Sequence, residues 1–147
     1  MSENAITSNP FRLISTRAVE VTLNSKGSAF NNDYILDFKH RIFGLENPQN
    51  DLERRIFIVE FDARVNNTPQ SLLFATKFQV TFQSEHQITK EYLDSPGIRI
   101  NSPAIAFPFL RGFITTVSAN AGYPPIILPS INFVRLTNNQ EPEKKPS

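Results

Sequence analysis

A chain of 147 residues with 39% hydrophobic content can bury one core but is short for two ordinary domains. Its net charge of +1 sets up no global field for nucleic acid or anionic membrane, and its basic clusters, Lys39-His40-Arg41 and Arg54-Arg55, are short. The lack of cysteine removes disulfides, thiolate catalysis and thiolate metal sites together. Residues 1–9 carry neither the basic nor the apolar region of a secretion signal, and no apolar run approaches the roughly 20 residues of a spanning helix. The chain therefore reads as cytoplasmic, with a disordered N-terminus at 1–9, a single domain at 10–137 and a polar, disordered tail at 138–147.

Up to Ser102 the apolar pattern has period two. In the first strand Phe11, Leu13, Val19, Val21 and Leu23 share one parity, and Arg12, Thr16, Glu20 and Thr22 take the other. Ser15 and Arg17 interrupt the apolar face, so this strand should be long, bent and partly exposed. The link from Asn24 to Asp33 is long enough to cross the sheet. A second strand sets Leu36, Phe38 and Ile42 against Asp37, Lys39 and Arg41. The cleanest alternation follows, with Phe57, Val59, Phe61, Ala63 and Val65 opposed to Glu60, Asp62 and Arg64. In the fourth, Leu72, Phe74, Phe78, Val80 and Phe82 oppose Lys77, Gln79 and Thr81. One buried face per strand predicts an antiparallel sheet, and Asn66-Asn67-Thr68-Pro69 predicts a hairpin between the third and fourth strands.

Ser84 to Leu93 predicts one or two helical turns, broken by Ser95-Pro96-Gly97. Ser102 then suits a helix cap and Pro103 a first-turn position, while Pro108 should restart or kink the helix. From Pro108 to Ala121 one stripe runs through Phe109, Phe113 and Val117 and a second through Leu110 and Ile114. Gly122 suits a left-handed stop, and Pro124 and Pro125 forbid continuation. Four strands followed by a helix define an α+β domain. A single sheet and a single helix cannot cover both stripes, which points to a homo-oligomer of undetermined order.

Thirteen Phe and no Trp suit either an ordinary core or a groove that takes apolar side chains without demanding hydrogen bonds, and composition leaves the two open. Catalytic chemistry finds no support. The only histidines, His40 and His86, read as surface residues, and Asp37 points to the opposite strand face from His40. Glu60 and Asp62 read as a solvated outer face with Arg64 as counter-charge. No nucleophile elbow, phosphate loop, dinucleotide fingerprint or paired metal-binding histidines occur. The chain is read as a non-enzyme with no cofactor and no metal.

The wording from Ala106 to Phe133 carries a resemblance. Ala106-Phe107-Pro108-Phe109-Leu110-Arg111, Gly122-Tyr123-Pro124 and Leu128-Pro129-Ser130-Ile131-Asn132-Phe133 follow one another at the spacing of the SecB family of protein-export chaperones. The resemblance implies a four-stranded antiparallel sheet, one main helix and a short C-terminal return, with the family's second C-terminal helix cut short. It further implies a tetramer built as a dimer of dimers. It implies an ATP-independent holdase for unfolded or precursor polypeptides in protein export, without nucleic acid or membrane insertion. The alternative is a SecB-like chaperone or adaptor dedicated to one partner, such as a toxin–antitoxin pair. Carried over by position, the interior sheet face is Leu72, Phe74, Thr76 and Phe78, and the interface helix presents Phe109, Phe113 and Val117. The client-binding groove would take Phe43, Tyr123, Ile126, Leu128 and Phe133. The surface facing the motor SecA falls at Ala18, Thr22, Leu73 and Ala75, where the family's acidic residues are missing, so SecA is a doubtful partner.

Overall fold

The computed structural model of the chain describes residues 10–26, 34–67 and 72–139. Four strands, β1 (Phe11–Ser25), β2 (Tyr34–Gly44), β3 (Ile56–Asn67) and β4 (Leu72–Ser84), form one antiparallel sheet in the order β1-β4-β3-β2. β3 and β4 are the expected neighbours, in register from Ile56 opposite Gln83 to Asn66 opposite Leu73. Thr68 and Pro69 of the expected turn lie outside the described residues. β1 and β2 occupy opposite edges, as expected for strands joined by a link that crosses the sheet.

Alternation in β3 and β4 places one face wholly inside. Phe57, Val59, Phe61, Phe74, Val80 and Phe82 are fully buried, and Phe57 stacks on its cross-strand partner Phe82 at 5.2 Å. Such central pairs are what a continuous period-two pattern stabilises.

β1 departs from the expected parity. Its register slips between Leu13 and Ser15 and again between Ala18 and Glu20, so Ile14 and Val19 are extra residues in two bulges. Both extruded side chains are exposed, at 42% and 39%. Between the bulges the inward parity changes: Thr16 and Ala18 oppose Val80 and Phe78, and after the second bulge Val21 and Leu23 face inward again. Val19 therefore leaves the core face, and Thr16 joins it.

Helix α1 (Lys90–Leu93) is a single turn whose N-terminus is capped by Thr89, with Tyr92 N donating to Oγ1 at 3.1 Å. α1 ends before Ser95-Pro96-Gly97, as expected, and a different helical turn starts there. The Ile98 and Arg99 amides both donate to Ser95 O, and a π-helical turn, Gly97–Asn101, leads directly into α2 (Ser102–Asn120). Ser102 is consequently no cap; its hydroxyl donates back to Ile98 O at 2.5 Å. Pro108 lies within α2 without ending it. The carbonyl it leaves without a donor belongs to Ala104, and both residues are exposed, so water can take that bond. Gly122 ends the helix region at φ 97°, as its sequence position predicts.

The C-terminal return is helical. In α3 (Phe133–Asn139) the first turn is capped by Asn132, whose Oδ1 accepts from Arg135 N at 3.0 Å. Asn138 and Asn139 thus belong to a helix and not to the tail; residues 1–9 and 140–147 lie outside the described residues. Ala106, Phe107, Leu110 and Ile114 of α2 join the buried sheet face in one core.

Candidate functional site

The segment after α2 is fastened to it through backbone groups. Thr115 Oγ1 donates to Ile126 O at 2.6 Å, and Ser118 Oγ accepts from Ile126 N at 3.0 Å while donating to Ile114 O at 2.8 Å. Both polar groups of one loop residue are therefore satisfied by the helix, which is what allows a loop residue to be buried. Ile126 and Leu128 enter the core at 0% and 2% exposure, and Ile127 between them points outward at 68%.

Phe133 is equally internal. Its ring sits among Phe107 at 5.8 Å, Phe38 at 6.3 Å and Phe61 at 6.4 Å, with the His40 imidazole edge-on at 5.5 Å. Three of the five groove residues carried over by resemblance, Ile126, Leu128 and Phe133, are thus core residues. Their apolar character was read correctly and their accessibility was not. Phe43 lies on the other side of the sheet, under the Arg41 guanidinium at 4.4 Å. Only Tyr123 stays half-open at the end of α2. Open apolar side chains that sequence reasoning missed are Ile127 and, one residue past Phe133, Val134 at 51%. Alternation within Ile126-Ile127-Leu128 was the available signal for the first.

The histidines divide. His86 is exposed, with its ring 6.2 Å from Tyr92, as expected. His40 is only partly exposed: it shares the inward parity of Phe38 and Ile42, and its Nδ1 is buried without a hydrogen-bond partner. Burial, reinforced by the Arg99 charge, pushes its pKa below the ordinary histidine value.

The outer sheet face is polar but paired differently from expectation. Glu60 is 8% exposed and binds Arg41 Nε at 2.8 Å through one oxygen and Gln79 Nε2 at 2.8 Å through the other. Burial raises the Glu60 carboxyl, but the two hydrogen bonds with the Arg41 and Lys77 charges outweigh it and hold it below its usual range. Arg64, the expected counter-charge, stands opposite Asp37 instead. Across this face the cations Arg12, Arg17, Lys39, Arg41, Arg64 and Lys77 outnumber the carboxylates Glu20, Asp37, Glu60 and Asp62.

Of the positions assigned to a motor-facing surface, Thr22 and Ala75 are direct cross-strand partners on the outer face, and Leu73 shares it. Ala18 does not. It opposes Phe78 and packs against the core. Glu20, at the next paired position, takes the outer face and approaches Lys77 at 4.0 Å. Leu72, Phe74, Thr76 and Phe78 all lie on the inward face at 4% exposure or less. On α2, Phe109 is 47% exposed and Val117 half-buried, but Phe113 already packs on Phe74 and Phe78 of its own chain, at 6.4 and 5.2 Å. Among the described residues no cluster of His, Asp and Glu could hold a metal, and no helix is long and apolar enough to cross a membrane.

A four-stranded antiparallel sheet covered by one long helix and a short terminal one is shared with other solved proteins. The SecB-like chaperone Rv1957 of Mycobacterium tuberculosis, solved with a ChAD peptide from the HigA1 antitoxin, superposes with a TM-score of 0.63 at 14% identity, over 83% of this chain and 88% of that one. A Streptococcus agalactiae protein of unknown function superposes at 0.52, over 84% and 100%. The family model for preprotein translocase subunit SecB matches residues 41–144, and the chain belongs to the SecB family. The family consists of non-catalytic chaperones. Protein-export protein SecB of Jannaschia is 26% identical over 83% of this chain and 61% of its own length. An uncharacterized protein of Methanocaldococcus jannaschii is 50% identical over 31% of this chain and 30% of its own length. The chain thus spans about a third to three fifths of these curated relatives.

Proposed function

We propose that this protein is a cytoplasmic, nucleotide-independent SecB-like chaperone that holds an extended segment of one dedicated partner, of the kind a toxin–antitoxin pair supplies. The observation that carries the choice is the outer sheet face. Thr22 and Ala75 stand where the family resemblance implies acidic docking residues, Glu20 is engaged by Lys77, and the face as a whole is cationic. A basic motor tail would find little to bind there. The mycobacterial relative, solved with an antitoxin peptide, supports the dedicated reading. A broader holdase for unfolded or precursor chains is the second reading, favoured by the open apolar side chains Ile127 and Val134 and by half-open Tyr123. Assembly is as a dimer of dimers. Uncovered Phe109 on α2 and Val21, 46% exposed on the inward face of β1, support it.

Client suppression assays separate the readings. A partner encoded beside the gene should be kept soluble at about one particle per chain, while unrelated unfolded proteins aggregate almost unhindered. Equal protection of all of them would establish the general holdase instead. Replacing Tyr123 and Ile127 together by Ser should weaken partner capture at unchanged oligomer mass, because neither side chain is part of the sealed core. Calorimetry with SecA should give weak, salt-insensitive binding.

A further inference from the structure

His40 faces inward from the middle of β2, and four elements close around it. Phe38 and Phe61 flank the ring at 6.3 and 6.2 Å from β2 and β3, and Phe133 of α3 meets it edge-on. A cleft beside it is bordered by Arg41, Asp94 at the end of α1, Arg99 of the π-helical turn and Thr137 of α3. Thr137 Oγ1 reaches Arg99 O at 3.5 Å, so α3 is tied to that turn at the same place. Lys39, Glu60, Asp62 and Lys77 border residue 40 from the outer side of the sheet.

The neutral imidazole fits this surrounding. With its proton on Nε2, the buried Nδ1 presents only a lone pair. Protonation would put an N–H on Nδ1, where no acceptor is within reach, and a positive charge among phenyl rings beside Arg99. Asp94 is the only carboxylate in the cleft, and it competes against both effects.

We propose that the protonation state of His40 controls the docking of α3: the neutral ring seats Phe133 against the sheet, and the imidazolium expels it. The sign follows from linkage. A histidine held below its free value favours the docked state above pH 6.5 and loses that favour as pH falls, until the docked form too is protonated. This device is a property of the chain and holds for either reading of the client.

Hydrogen exchange in the full chain tests it. After correction for the intrinsic pH dependence of exchange, α3 amides should open about tenfold more for each pH unit below 6.5 until His40 is charged. His40→Leu should flatten that dependence, and His86→Gln should preserve it. In the unmodified chain the His40 ring protons should titrate below pH 6.5, a measurement that needs no variant to fold. Titration of His40 at or above 6.5, or α3 protection that is constant from about pH 7.5 to 5.5, would overturn the proposal.

Discussion

β3 and β1 have similar length and similar apolar content, yet one forms the centre of the molecule and the other its ragged edge. β3 keeps register with neighbours on both sides, and its inward residues from Phe57 to Val65 are at most 1% exposed. β1 has one neighbour, two bulges and exposed Ile14, Val19 and Val21. The difference teaches that apolar content does not set a strand's place. Phase continuity and the number of paired sides do, because only a strand in phase with both neighbours can bury every second residue.

The comparison breaks most sharply at Phe61. Phe61→Ala would open a cavity among Phe38, Phe107 and Phe133, and should cost about 3–5 kcal/mol in denaturant unfolding. A cost under 1 kcal/mol would mean that the centre repacks as freely as the edge.

A smaller effect comes from the outer side of the same strand. Glu60 has its carboxyl held below the usual value, so its stabilising contribution is present above pH 4.5 and fades as pH falls through the lowered folded value. Glu60→Gln should lower stability at neutral pH and flatten stability against pH in that acid range, leaving the acid limit little changed. An unchanged acid profile would show that the pairing with Arg41 has no energetic consequence. Val19→Ser, on the exposed bulge of β1, should alter neither.

The smallest effect expected is from a deletion. Removing Ile14 takes out the extra residue of the first bulge and leaves every other β1–β4 pairing in place. Stability should change by about 1 kcal/mol or less. Removing Ile58 from β3 would shift the rest of that strand to the wrong faces and should prevent folding. Equal tolerance of the two deletions would erase the distinction between edge and centre.

Legibility in the sequence followed the same line. β3, β4 and the inward face Leu72, Phe74, Thr76 and Phe78 could be read because nothing interrupts their period. β1 misled at Val19 and Ala18 because a bulge leaves no mark in composition; it only changes phase. Ser102 and Pro108 were assigned by local helix rules, but the preceding π-helical turn already supplies the helical entry and the solvent side accommodates the proline. His40 was readable after all, since it alternates in step with Phe38 and Ile42; its residue type was given more weight than its position. The candidate site was the least legible part. Whether Ile126, Leu128 and Phe133 face a client or the core depends on Thr115 and Ser118 holding Ile126, a contact between a helix and a later loop that no local pattern encodes.

A strand of 15 residues with one edge unpaired is an invitation to stack further copies without limit. A protein meant to handle sticky chains would be the worst place to leave one. The two bulges answer that hazard. Each spoils the even spacing of amides and carbonyls along the free border of β1, so a flat incoming strand can match only a short stretch before its bonds fall out of step. The edge can still take a specific companion of matching curvature, yet it offers a poor seed for a fibril.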